Sequence, residues 1–197
     1  MTDSEHGRQP GKRERLVAGA REVIHQQGVE KTTIADIAQA ARIPVGNVYY
    51  YYYYYYRTKD ELVAAAIDSH GQDVRAMLDS LERHRTPQAR LKALVRALTD
   101  QRELAARYGC PLGSLCSELD KRNDGLDRAC APLLRAPIAW AEQQFTTLGR
   151  RDAHDLAVAL IASYQGIALL TNTFRDPELM TREARRLERW IDSLVSA

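Results

Sequence analysis

The stretch "TTIADIAQAARIPVGNVYYYYYYYYRTKDELV", residues 32–63, decides the fold. It begins with a threonine pair suited to N-capping and continues with Ile34, Ile37, Ala38 and Ala41 at helical spacing. A short break, "RIP", follows. Pro44 cannot sit inside a helix but is welcome in a first turn, so a further helix begins at "PVGNVYY". Upstream, "GKRERLVAGAREVIHQQG" places Leu16, Val17, Ala20, Val23 and Ile24 at helical spacing, with Gly28 as the stop. Three short helices with a tight turn before the third make a helix-turn-helix layout, whose last helix is built to enter a DNA major groove. Ala38 and Ala41 are small enough to let the two helices of the turn approach closely.

Working outward, nearly every other segment reads as helix. Thr58 and Glu61 have capping-box spacing ahead of a long helical stretch reaching His84. Thr86 and Pro87 form a cap and first-turn pair that opens "PQARLKALVRALTDQRELAARY". A turn-rich section, "GCPLGSLCSELDKRNDG", surrounds a short helix. "LDRACAPLLRAPIAWAEQQFTTLG" is helical with a kink expected from Pro132 and Pro137. The most apolar helix is "RDAHDLAVALIASYQGIALLTNTF", and the last begins at Asp176 and Pro177. Alternating strand patterns are missing outside the tyrosines. The tyrosines favour strand by propensity, but a lone strand would have no partner. The expected fold is therefore all-α, with about nine helices by capped segments. Residues 1–57 form an N-terminal helix-turn-helix module and residues 58–197 a larger helical body.

The 197 residues make one large domain or two small ones. The formal net charge is only +2, which advertises no global polycation. Residues 1–59 nevertheless hold nine Lys and Arg against six Asp and Glu, while the remainder holds 19 against 20. A basic end on a balanced body fits an anionic partner at that end. The polar start "MTDSEHGRQPGKRERL" has no apolar core of a signal peptide, and no apolar run is expected to reach the ~20 residues of a membrane span. The expected location is the cytoplasm, with no membrane partner. Cys110, Cys116 and Cys130 are odd in number and lack CxxC spacing, which argues against a zinc site or a disulfide framework. No metal site and no cofactor is expected.

The motif resembles the TetR family of bacterial transcription regulators. "TTIADIAQAARIPVGNVYYY" and "RTKDELV" carry the resemblance: Thr33, Ile37, Ala38, Ala41, Gly46, Tyr49, Tyr51, Thr58, Lys59 and Leu62 fall in the order of the family pattern. Arg42 stands where the family often has Gly, and Pro44 where it often has Ser or Thr. The resemblance implies a DNA-facing set of Thr33, Arg42, Pro44, Val45, Gly46, Asn47, Tyr49, Tyr50, Tyr51 and Lys59. Thr33, Lys59 and the tyrosines would reach phosphates, while Arg42, Val45, Gly46 and Asn47 would face base edges or flanking phosphates. N-capping for Thr33 and tight packing for Gly46 are the alternatives. Arg8, Lys12 and Arg13 form either an arm along the DNA or a solvated tail.

The tyrosine tract departs from the pattern. Eight tyrosines, Tyr49–Tyr56, stand where the family has four residues ending in Phe, so four are in excess before Arg57. Four more helical residues add about 6 Å and roughly one turn plus 40°. The tract is then foreign to the folded motif, a one-turn insertion that the fold tolerates, or a stacking surface for single-stranded nucleic acid. The last is weakest, because eight adjacent side chains on one helix point all round it.

By the same resemblance, the body would hold an unidentified small-molecule effector and form a homodimer through the last two helices, residues 151–174 and 182–197. Gly166 and Ala168 would permit close approach there. Candidates for the effector pocket are Tyr108, Cys110, Cys116, Trp140, Phe145 and Tyr164, polar-tipped or polarisable groups in the apolar middle of the body. Ordinary core packing is the competing reading of each. Cys110, near a helix start, is a candidate for a reactive thiol. The leading function is a ligand-responsive, sequence-specific DNA-binding regulator, a homodimeric repressor released from double-stranded operator DNA by a small molecule. Alternatives are a helical adaptor with an inactive DNA module and a cysteine-dependent enzyme. The enzyme lacks a Cys-His-acid set, a GxSxG motif or a phosphate loop.

Overall fold

A computed structural model describes residues 11–195; Arg8 lies outside the described residues. These residues form ten α-helices and no strand. The chain makes two compact units that divide between Ala66 and Ile67.

In the first unit lie α1 (Lys12–Gln27), α2 (Ile34–Ala40), α3 (Val45–Tyr55) and the start of α4 (Lys59–Leu81). Gly28 ends α1 at φ 85°, the left-handed region that glycine enters without strain. Thr33 caps α2: its hydroxyl oxygen accepts from the Asp36 amide at 3.2 Å, and the Asp36 carboxylate accepts from the Thr33 amide at 2.9 Å. Thr58 accepts from the Glu61 amide at 3.2 Å, and the Glu61 carboxylate takes the Arg57 amide at 2.7 Å. The expected cap of α4 is thus present, with its return bond one residue earlier than in a capping box. Leu16, Ala20, Val23, Ile37, Ala38, Ala41 and Ile43 are buried here. Gly19 explains how α1 and α2 come together. A Cβ there would stand 2.9 Å from both the Ala41 nitrogen and the Ile37 carbonyl oxygen.

The second unit continues α4 and adds α5 (Pro87–Thr99), α6 (Arg102–Tyr108), α7 (Pro111–Leu119), α8 (Leu126–Thr147), α9 (Ala153–Phe174) and α10 (Pro177–Val195). The stretch from Pro87 to Tyr108 is two helices, not one. At its break the Thr99 hydroxyl bonds back to the Val95 carbonyl at 2.8 Å, and the polar pair Asp100 and Gln101 follows. That break raises the count above the expected nine. Pro132 and Pro137 both lie within α8, which remains one helix; they supply no N–H to the carbonyls of Arg128 and Leu133.

α9 packs against α6, α8 and α10, and α10 also packs against α5. By length and composition alone α9 is long and apolar enough to cross a membrane, which corrects the expectation that no segment qualifies. Its apolarity has a local use: Ala157, Leu160, Ile161, Tyr164, Ile167 and Ala168 are buried in the core of this unit. Ion pairs join α5 to α10, Lys92 to Asp192 at 3.0 Å and Arg96 to Glu188 at 2.8 Å.

Candidate nucleic-acid interface

The turn between α2 and α3 is made by Ala41, Arg42, Ile43 and Pro44. Ala41 and Ile43 point into the core, whereas Arg42 and Pro44 are exposed. Arg42 has φ 54°, so the position where the resemblance expects Gly does require a left-handed residue. An L side chain there costs about 1–2 kcal/mol. Pro44 leads directly into α3, accepting from the Asn47 amide at 2.8 Å. Gly46 and Asn47 are exposed in the first turn. A Cβ added at Gly46 would meet nothing within 4 Å, so tight packing is not what that glycine serves. The Val45 side chain lies outside what is described.

The tyrosines continue α3 as helix to Tyr55, with Tyr56 as its C-cap. They sort by a period of four. Tyr52 and Tyr56 are buried, at 5% and 4% exposure. Tyr51 and Tyr55 are half-buried, and Tyr49, Tyr50, Tyr53 and Tyr54 are exposed. On the outside the rings stack along the helix, Tyr49 on Tyr53 at 6.4 Å and Tyr50 on Tyr54 at 6.3 Å between centroids. A four-residue step turns a helix by about 400°, so each environment recurs one turn later. The position that the resemblance assigns to Phe is consequently filled twice. Tyr56 carries a cost, because its buried hydroxyl finds no hydrogen-bond partner among the described residues. Burial, followed by the charges of Tyr53, Glu61 and Asp60, pushes the Tyr52 phenol above its ordinary value.

Basic groups lie near this helix. Lys12 donates to the Tyr51 hydroxyl, and its ammonium stands 3.8 Å from that ring's centroid. The Arg13 guanidinium lies 6.0 Å from the Tyr56 ring. Lys12 and Arg13 are themselves exposed. The Lys59 ammonium donates to the Glu30 carbonyl at 3.3 Å, tying the start of α4 to the loop after α1. The Thr33 hydroxyl gives its one proton to Asp36 at 2.7 Å, so a phosphate would have to compete for it. That bond leads the influences that hold the Asp36 carboxyl below its ordinary value.

The six candidates in the body do not converge. Cys110 and Tyr164 touch, and burial, with Cys110 beside it, pushes the Tyr164 phenol well up. Cys110 is the N-cap of α7, its sulfur accepting from the Gly113 amide at 3.4 Å and from the Gln165 amide at 3.8 Å. Phe145 is fully buried with its ring 6.1 Å from that of Trp190. Trp140 donates to Glu82 at 2.8 Å, Cys116 faces Cys130, and Tyr108 is half-buried at the end of α6. A cavity of about 270 Å³ lies elsewhere, lined by His84, Thr86, Gln88, Ala89, Lys92 and Arg96. Sequence reasoning missed Gly19 and Cys130; neither has a spacing that marks it.

Residues 16–52 match the profile of the bacterial regulatory proteins of the tetR family. The chain is 30% identical over 193 residues to an uncharacterized HTH-type transcriptional regulator of Mycobacterium tuberculosis, covering 90% of this chain and 94% of the relative. An HTH-type regulator of Lactococcus lactis is 28% identical over 170 residues, 83% of this chain and 85% of its own. Among solved structures, a TetR transcriptional regulator from Legionella pneumophila superposes with a TM-score of 0.77 at 20% identity, covering 98% of both chains. The regulatory protein TetR from Rhodobacter sphaeroides gives 0.75 at 24% identity, over 89% of this chain and 96% of that one. A helix-turn-helix whose third helix begins on an open, exposed turn, joined to an all-helical body, defines a DNA-binding transcriptional regulator. The chain belongs to the TetR family of bacterial regulators.

Proposed function

We propose that this regulator is a homodimeric repressor that reads two half-sites of duplex DNA with the N-terminal turn of α3 and leaves them when its body binds a small molecule. One observation carries the reading: Arg42, Pro44, Gly46, Asn47, Tyr49 and Tyr50 are all exposed at one end of a helix whose other side is anchored by Tyr52 and Tyr56. Asn47 and Arg42 are the base-edge readers, and Val45 sits between them in the sequence. Tyr49, Tyr50, Tyr51, Lys59 and Thr33 serve phosphates. Of these, Lys59 and Thr33 exchange an internal partner for the phosphate.

A dimer accounts for useful affinity from so small a reader. Its support is the outward side of α9, where Val158, Leu169, Leu170 and Phe174 are exposed, Leu169 at 66%. Gly166 on that side has open space around it, whereas Ala168 is buried and serves the core. α10 would complete the interface. For the effector, Cys110, Tyr164 and Gln165 place polar tips together in an apolar body, the composition a small-molecule site needs. The effector must bind the DNA-incompetent state better, or nothing shifts. The protein acts in the cytoplasm, by binding and not by turnover.

The test is retention of fragmented genomic DNA at physiological salt. An enriched palindrome is the expected outcome, and a Leu169→Lys variant, monomeric by sedimentation, should lose it. Lys59→Ala should weaken all sequences alike and flatten the salt slope by about one phosphate contact. Asn47→Ala should change preference among sites; equal loss on operator and random DNA would remove it as a base reader.

A further inference from the structure

We propose that Cys116 and Cys130 are a thiol–disulfide site, closed across α7 and α8 by a hydroperoxide and reopened by a dithiol. The two residues lie on helices that pack against each other, and the Cys116 Sγ donates to the Cys130 carbonyl at 3.6 Å. The Cys116 side chain therefore lies against residue 130 across the two helices, and all three cysteines are free. Cys116 is half-buried, open to a small oxidant, whereas Cys130 is buried behind it.

The two thiols have different parts in the chemistry. The Cys130 side chain beside it pulls the Cys116 thiol below its ordinary value, against the effect of burial. The Cys116 side chain, with burial, pushes the Cys130 thiol up. Cys116, half-buried where Cys130 is buried behind it, is the thiol that a hydroperoxide reaches first and so the nucleophile once it loses its proton to water, and Cys130 keeps its proton until it is needed. The Cys116 thiolate attacks the terminal oxygen of the hydroperoxide. The O–O bond breaks, an alkoxide leaves and takes a proton from water, and Cys116 becomes a sulfenic acid, oxidised by two electrons. The Cys130 sulfur then attacks the Cys116 sulfur. The S–S bond forms as the S–O bond breaks, and hydroxide departs with the Cys130 proton as water. The proton that Cys116 gave up in becoming a thiolate neutralises the hydroxide left when the alkoxide took its proton from water, so that overall two thiols and one hydroperoxide give a disulfide, an alcohol and water. A dithiol reverses the disulfide by exchange.

Cys110 serves as the internal comparison. It is buried, whereas Cys116 is half-buried, so Cys110 should stay unreacted while the pair is oxidised.

The experiment treats the full chain with one to two equivalents of hydrogen peroxide and then alkylates the remaining thiols. Peptides are mapped by mass. The expected product is an intrachain Cys116–Cys130 linked peptide, about 2 Da lighter than the reduced pair, with Cys110 alkylated and the link lost in dithiothreitol. Cys130→Ser should stop at a Cys116 sulfenic acid trapped by dimedone. Cys116→Ser should slow thiol loss at least about 10-fold. A wild-type chain in which Cys110 reacts first overturns the proposal. So does one in which Cys116 passes to sulfinic acid without a link, or in which the link joins two chains. These readouts need no DNA, so their failure would leave the regulator assignment untouched.

Discussion

The aromatic residues of the two units obey different rules. In the first unit, eight identical side chains acquire three different environments because they follow one helix, and the period of four alone decides which are core and which are surface. In the second, Trp140, Phe145 and Tyr164 are scattered along α8 and α9, and each meets its own partner: Glu82, Trp190 and Cys110. A residue type announces a role where a local motif fixes its surroundings. Where tertiary packing chooses the surroundings, the same type announces very little.

The strongest way to break this comparison is Phe145→Ala. If Phe145 is packing and not pocket, the loss should be about 3–5 kcal/mol in urea unfolding. A stability change under 1 kcal/mol with lost effector response would return it to a ligand site. Gly19→Ala in the first unit comes next. Its Cβ would press on the backbone of α2, which cannot move aside like a side-chain tip, so about 1–3 kcal/mol should be lost. Wild-type stability would show that α1 and α2 are not in that contact.

Two substitutions should stabilise the first unit. Tyr56→Phe removes a buried hydroxyl without a partner and keeps the ring, for a gain of about 1 kcal/mol. The same change at the exposed Tyr54 should alter stability by less than about 0.5 kcal/mol, which makes the pair a direct test of the period of four. Arg42→Gly should gain about 0.5–1 kcal/mol by relieving the left-handed backbone, net of the entropy glycine loses. It should also weaken DNA retention, separating what the turn needs from what the interface needs.

The smallest effect is in the body and depends on pH. Hydrogen bonds from Arg96 and Lys92 hold Glu188 and Asp192 below their ordinary values of 4.5 and 3.8. The unfolded chain therefore binds more protons over that range. The contribution of these pairs is complete above the ordinary values and drains away as pH falls through the lower folded ones. Thermal melts of the wild type and Arg96→Gln should differ at pH 6, and the gap should shrink steadily as the pH is lowered past the ordinary values. A constant gap would mean that the α5–α10 pairs contribute through packing instead.

The all-helical class, the caps at Thr33, Thr58 and Thr86, and the turn before α3 followed from the sequence alone. Each is a local pattern within four residues, and local patterns bind the backbone wherever they occur. The left-handed backbone at Arg42 did not follow: the sequence shows only a resemblance to a family that often has Gly there. Tertiary structure alone decided that Gly19 is the contact between α1 and α2, that Phe145 is packed in the core, and that Cys116 faces Cys130. Those relations join residues 12 or more positions apart on different helices. Helical periodicity specifies which side of a helix is apolar but not which helix will cover it.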